Sequence, residues 1–359
     1  MIEYDIKINR VDQIMINKGN ILIGLSGGVD SAVSAYLLQK AGYTVTGCFL
    51  CLTKHSSFDS ADAVSAQQVA DRLGIKLIKA DHKEQFEKNV VEYFSSEYLA
   101  GRTPNPCIRC NPTTKFASLI EEADRLGIEK IATGHYANIT QKDGRAFISV
   151  SPSKKDQSYF LYRVNDSILS RVEFPLGSFM TKDEIRAIGK DIGFIAADKP
   201  DSLEVCFIPD NDYSRFICEE CGYIPKEGDF LDADGTVIGK HSGIINYTVG
   251  QRKGLGAFGE PRYVKNINAK DNTVTLCKKD ERFGTFLEAD NISWNGEIPE
   301  GTFDAQVKIR STAKATDAEV TVTDDLMTVK FMSPVLAPTP GQSAVVYKNG
   351  IVLGGGIIK

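Results

Sequence analysis

The hexapeptide Ser26-Gly27-Gly28-Val29-Asp30-Ser31 lies between an apolar run, Ile21-Leu22-Ile23-Gly24-Leu25, and a stretch of helical character from Asp30 to Ala41. A strand that turns on two glycines into a helix brings backbone N–H groups close to one point, and the helix aims its unpaired N–H groups and positive end at the same place. The natural occupant is a phosphate. The loop lacks the Gly-Lys-Ser/Thr ending with which a Walker A sequence reaches the β- and γ-phosphates. Asp30 is instead the candidate Mg2+ ligand, and Ser26 and Ser31 are candidate hydroxyl donors. The structural alternative is a glycine turn that only tightens a strand-to-helix connection.

Downstream the pattern alternates in βα fashion. Strands are expected at Thr44–Cys51, Lys76–Ala80 and Ile128–Thr133, and helices at Ala61–Leu73, Lys83–Leu99 and Lys115–Leu126. This predicts an α/β fold with a doubly wound parallel sheet, whose ligands sit at the carboxyl ends of the strands. Ser26–Ser31 follows the first strand and Thr133-Gly134-His135 the last, so both belong to one crevice. The 359 residues exceed one comfortable core. The expected division is an N-terminal arm (1–18), a nucleotide-binding domain (19–209), a small mixed central domain (210–272) and a C-terminal antiparallel β-barrel (273–359). The barrel is read from short β-type runs at Thr273–Lys279, Ala305–Arg310, Ala318–Thr323, Met327–Met332, Ser343–Tyr347 and Ile351–Ile358.

The formal charge of −5 argues against a generally sticky nucleic-acid binder, but the sign is uneven along the chain. Arg102, Arg109 and Lys115 stand in an acid-free segment, and Lys240, Arg252, Lys253, Arg262 and Lys265 face only Glu260. Beside a phosphate loop, two basic segments suggest a polyanionic substrate. No segment approaches the length of a membrane span and the first residues do not read as a signal peptide, so a cytoplasmic protein without a membrane partner is expected.

Eight cysteines in a reducing compartment do not form a disulfide framework. Cys48 and Cys51 fall in a strand, where a three-residue step sets the thiols on opposite faces, and read as buried small hydrophobes. Cys218 and Cys221 fall one helical turn apart beside Glu219 and Glu220, which raise a thiol pKa. Cys107 and Cys110 lie in Gly101–Pro112, where Pro104, Pro106 and Pro112 suggest a stiff loop and three bases favour thiolates. A lone Cys206 occupies a later connection. The alternatives are packed cysteines, or a four-thiolate zinc site joining Cys107 and Cys110 to Cys218 and Cys221.

Ser-Gly-Gly-X-Asp-Ser resembles the PP-loop of the N-type ATP pyrophosphatases, which cleave ATP between the α- and β-phosphates and adenylate a carbonyl oxygen. Five ordered stretches extend the likeness: Gly24–Ser31, Thr103–Asn111, Ala132–Tyr136, Lys155–Leu161 and Gly250–Gly256. With the Cys206 segment and Pro340–Tyr347, the chain from about Ile21 onward resembles the bacterial tRNA-specific 2-thiouridylases, sulfurtransferases that modify the wobble uridine of tRNA. The resemblance implies ATP at Gly24, Leu25, Ser26, Gly27, Gly28, Val29, Asp30 and Ser31, with Leu50 and Gly134 bounding the adenine. It implies tRNA contacts at Asn105, Pro106, Cys107, His135, Lys155, Asp156, Gln157, Arg310, Ser311 and Gln342, and a stacking surface at Tyr136. Cys206 would carry a persulfide received from a cysteine desulfurase or sulfur carrier protein, and Cys110 would be its catalytic partner, the two ending in a disulfide. Many members carry aspartate at the position of Cys107. Three thiols, Cys107, Cys110 and Cys206, also match the ligand count of a site-open [4Fe–4S] cluster, a second route to the same product. Rival readings are another adenylating synthetase of the superfamily and a tRNA-binding paralogue without turnover. The loop Leu52–Ser60 lacks the acidic, tryptophan-containing sequence of many relatives.

Overall fold

A computed structural model describes residues 17–194 and 205–359. The N-terminal arm up to residue 16 and Asp201–Glu204 of the Cys206 segment lie outside the described residues. The nucleotide-binding domain runs β1 (Asn20–Gly24), α1 (Val29–Lys40), β2 (Thr44–Cys51), α2 (Ala61–Leu73), β3 (Lys76–Asp81), α3 (Lys83–Phe86), a π-helical turn (Glu87–Val91) and α4 (Glu92–Leu99). It continues with α5 (Pro106–Cys110), a second π-helical turn (Asn111–Lys115), α6 (Phe116–Arg125), β4 (Lys130–Ala132), β5 (Asn138–Lys142), β6 (Arg145–Ser149), α7 (Asp166–Leu169), β7 (Val172–Glu173) and α8 (Lys182–Asp191). Five strands form a parallel sheet in the order β3-β2-β1-β4-β7.

Strand alternation explains the layers. Leu22 and Ile131 pack on one face with Phe116 and Leu119 of α6, while Ile21 and Ile23 pack on the other with Ala32 of α1, Ala63 of α2 and Ile185 of α8. The sheet is covered on both sides, as its apolar strands require. Each large apolar side chain buried this fully contributes about 1.5–3 kcal/mol. Cys48 joins the α6 face and Cys51 the α1 face, both buried, as the three-residue step requires. The helix starts are specified locally: Ser60 accepts from the Ala63 N–H, and Thr181 and Glu184 form a reciprocal capping box.

The segment around Cys107 departs from expectation. It is a helical turn, with Pro106 in the first turn of α5 and Pro112 inside the π turn that leads into α6. Proline is tolerated in a first turn because its missing N–H has no intrahelical partner to lose. The helical run expected from Lys115 therefore begins two elements earlier, at Pro106.

The central domain holds α9 (Tyr213–Cys221), β8 (Gly228–Leu231), β9 (Val237–His241), β10 (Tyr263–Asn268) and β11 (Thr273–Cys277), its sheet ordered β10-β11-β8-β9. The run at Thr273, expected to open the barrel, instead pairs with β10 and β8. The barrel comprises β12 (Phe283–Trp294), β13 (Thr302–Lys308), β14 (Thr316–Thr323), β15 (Leu326–Leu336), β16 (Ser343–Lys348) and β17 (Ile351–Ile358), and the β12–β17 pairing closes it. Hairpin β5–β6 is added to its sheet where Ser149 meets Ile351. A second tie joins the barrel to the segment preceding helix α5: Thr103 N–H donates to the Pro340 carbonyl at 2.8 Å, and Gln342 Nε2 donates to the Thr103 carbonyl at 2.8 Å.

Candidate active site

β1 delivers the chain to Ser26, and α1 begins after Gly28 with no side chain capping its first turn. Its leading N–H groups are therefore available to an anion. The hydroxyls brace the loop: Ser31 Oγ accepts from Ser26 N–H at 3.2 Å and donates to the Gly28 carbonyl at 3.0 Å, and Ser65 of α2 holds the Gly27 carbonyl at 2.9 Å. Gly27 sits at φ +77°, and a Cβ there would lie 2.5 Å from the Asp62 carbonyl oxygen. Gly24, Leu25, Ser26, Asp30, Ser31, Leu50 and Gly134 line one cavity of about 480 Å3. Val29 turns into the core instead. Gly134 approaches α1 closely, since a Cβ on it would meet the Asp30 carbonyl carbon at 3.0 Å. That approach joins the first and fourth strands' ends into the one crevice expected.

Both Asp30 carboxylate oxygens are engaged. Tyr136 Oη donates to one at 2.8 Å, and Lys182 Nζ pairs with the other at 3.0 Å. Each oxygen keeps a second lone pair, so a magnesium ion there would share the carboxylate with Lys182. Tyr136, expected as a stacking surface, is only 2% exposed and anchors Asp30 instead. Neither Lys182 nor the Tyr136 contact was legible in the sequence, because the partners lie far apart along the chain. The one signal at Lys182 is the capping box that fixes its helix start.

Cys107 and Cys110 project from α5 one turn apart. Cys110 is buried in the same core cluster as Phe207, Ile208, Phe86 and Phe94, so the residues that follow Cys206 belong to the core that covers it. Its thiol also feels the charges of Cys206 and Cys107. Cys107 and Cys206 remain reachable by solvent although protein surrounds them. The expected easy ionisation is not what the structure shows. Burial pushes the Cys110 thiol up to about 12 and raises Cys107 and Cys206 as well; Lys115 opposes the shift at all three. Two of the three expected bases are occupied elsewhere, Arg102 by Glu97 and Arg109 by the Asn89 carbonyl and the Tyr93 ring. Among the described residues, no three His, Cys, Asp or Glu side chains are grouped to hold a metal ion, whether as a zinc site or at Cys107, Cys110 and Cys206. All eight cysteines are free.

The candidate tRNA contacts divide. Lys155, Gln157 and His135 line the nucleotide cavity, and Asn105 and Pro106 open α5 beside Cys107. His135 is buried, hydrogen-bonded to Thr133 at 2.6 Å and stacked on Phe116; burial holds its pKa well below the usual value, so the ring is neutral. Asp156 accepts from Ser151 N–H and from Ser158, and Gln157 accepts from Tyr136 N–H, which orders the segment internally. Arg310 donates to the carbonyls of Val249 and Ala337 and to Thr339, beside half-buried Ser311. Of the second basic segment, Lys240 and Arg262 pair with Asp229 and Asp232, while Arg252, Lys253 and Lys265 stay exposed. Among the described residues no helix is long and apolar enough to cross a membrane.

A family model described as "tRNA methyl transferase HUP domain" matches residues 19–210, followed by a PRC-barrel domain model at 214–278 and an "Aminomethyltransferase beta-barrel domain" model at 285–358. The tRNA-specific 2-thiouridylase MnmA of Acetivibrio thermocellus is 43% identical over 96% of this chain and 100% of its own length. That of Clostridium acetobutylicum is 44% identical over 94% of this chain and 99% of its own length. A 4-thiouridine synthetase solved with RNA and bound ATP has a TM-score of 0.38 and 18% identity, covering 56% of this chain and 50% of that one. With near full-length identity on both sides and the PP-loop cradle in place, the chain belongs to the tRNA-specific 2-thiouridylase family of enzymes.

Proposed function

We propose that this enzyme replaces O2 of the wobble uridine of tRNA with sulfur in two half-reactions within one cleft. In the first, the uridine O2 attacks the α-phosphorus of ATP held by Ser26–Ser31, and pyrophosphate departs. A carbonyl oxygen is a poor leaving group, and as an AMP ester it becomes a good one. In the second, the terminal sulfur of a Cys206 persulfide adds to C2 and AMP leaves with the C–O electron pair. The Cys110 thiolate then attacks Cys206 Sγ, the S–S bond breaks toward the base, and 2-thiouridine forms with a Cys110–Cys206 disulfide that a thiol reductant must reduce.

The observation that supports this reading is that Cys110 shares one buried core with Phe207 and Ile208, the residues after Cys206, and that its thiol lies within Coulombic reach of Cys206. A high thiol pKa suits the scheme: Cys110 stays protonated and unreactive until the reacting ligands enter. Magnesium would enter with the triphosphate, as it commonly does. The sulfur donor, a desulfurase or carrier protein, must reach Cys206, which is exposed.

The test is nucleoside mass spectrometry of tRNA incubated with enzyme, ATP and a persulfide-generating desulfurase. 2-Thiouridine should form with one AMP per turnover, and Cys206→Ser should stop thiolation while tRNA-dependent AMP formation continues. Thiolation by Cys206→Ser at the wild-type rate with the desulfurase would reject the relay.

A further inference from the structure

One lysine that lines the phosphate-loop cavity also lies within Coulombic reach of Cys107, Cys110 and Cys206. Lys115 closes the π turn that begins directly after Cys110, and its half-buried side chain lines the same cavity as Ser26, Asp30 and Gly134. Its charge acts on Cys107, Cys110, Cys206 and His135 together, which places the ammonium within Coulombic reach of both chemistries. Its backbone N–H also reaches the Cys110 thiol, a contact made by the local π geometry. π turns inside helices recur at functional sites because they re-aim such groups.

Lysines at this cavity are not equivalent. Lys182 is committed to Asp30 at 3.0 Å. Lys115 makes no ion pair or side-chain hydrogen bond among the described residues, although its surroundings are partly dehydrated. A cation held from water without a counter-ion costs stability, and the expense is recovered when an anion arrives. The neutral His135 beside it contributes no competing positive charge.

We propose that Lys115 is a catalytic residue that binds the α-phosphate of ATP and of the adenylated uridine on the side facing Cys110. The ammonium then neutralises charge on the AMP group as the C2–O bond breaks and sulfur adds, joining the two half-reactions at one point. No proton moves through it. The inference rests on the two-step reading above and assigns a residue that the PP-loop itself does not supply.

The experiment compares Lys115→Met, Lys115→Arg and Lys115→Ala in single-turnover assays of AMP formation and of 2-thiouridine, with tRNA and ATP titrated separately. Removing one charged stabiliser of a transition state typically lowers kcat by about 10²–10³-fold. Lys115→Met should show that loss in kcat for thiolation, with KM for tRNA changed by less than about fivefold and the melting temperature unchanged. Lys115→Arg should recover part of the rate, and methylammonium should restore Lys115→Ala in a saturable manner. A Lys115→Met kcat equal to wild type overturns the proposal. So does a Lys115→Ala defect that methylammonium leaves untouched while the melting temperature falls in proportion. Wild-type enzyme that forms no 2-thiouridine would instead reject the underlying reading, so the two failures are separable.

Discussion

Ser26–Ser31 carry their geometry in six consecutive residues, whereas Cys110 and Cys206, far apart in sequence, come within Coulombic reach of each other through the packing of separate elements in one core that includes Phe207 and Ile208. The phosphate cradle is finished before any ligand arrives: its hydroxyls, its uncapped helix start and the Asp30–Lys182 pair are all in place. At the thiols, burial pushes the Cys110 pKa up to about 12. The contrast teaches that the loop is set by its own backbone, whereas the state of the thiols is set by the surfaces assembled around them.

Separating the two sites chemically is the sharpest way to break this comparison. Cys206→Ser should lower thiolation by at least about 10³-fold while leaving AMP formation within about threefold, because a nucleophile has no substitute whereas the cradle is untouched. Parallel loss of both products would mean the sites are not separable. Asp30→Ala strips Tyr136 and Lys182 of their shared partner at the cradle. AMP formation should fall by about 10²-fold, with thiolation falling only in step, as measured by AMP release and nucleoside analysis on the same samples.

A smaller effect comes from pH. With Cys110 raised to about 12, the thiolate fraction grows about tenfold for each pH unit between about 7 and 9, so a thiolation step limited by Cys110 should climb while AMP formation does not. Stability moves the other way. A thiol whose folded pKa exceeds its unfolded value of about 8.5 contributes stability that is complete below that value and is lost as pH rises toward the folded one. Thermal melts should therefore weaken above about pH 9, and less so in Cys110→Ala. The smallest effect is Gln342→Ala, which removes one bond to the Thr103 carbonyl and should cost about 0.5–1.5 kcal/mol in denaturant unfolding. A large rise in KM for tRNA with unchanged stability would make Gln342 an RNA contact rather than a brace.

What was legible in the sequence follows from the range of each interaction. The strand–turn–helix at Ser26–Ser31, the βα alternation and the opposite faces of Cys48 and Cys51 depend on neighbours or on strand periodicity, and they emerge as read. The helical start at Pro106 was obscured because three prolines resemble a loop, although a first turn and a π turn accommodate two of them. Strand β12 was hidden by Gly284 and by the register shift near Asn291, which interrupt its alternation. The Asp30 contacts to Tyr136 and Lys182, and the burial that outweighs Lys115 at the thiols, are properties of assembled surfaces. Spacing along a chain contains no measure of them.

The clasp at Thr103 has a consequence for how the molecule is made. Both backbone groups of that residue find their partners at Pro340 and Gln342, which leave the ribosome long after the cysteine helix has been synthesised. During translation the segment that opens onto Cys107 therefore waits, lacking its last two anchors, until the final strands emerge. A nascent chain can complete the turn at Ser26–Ser31 early, but the segment leading to Cys107 and Cys110 is fastened into position only near the end of synthesis.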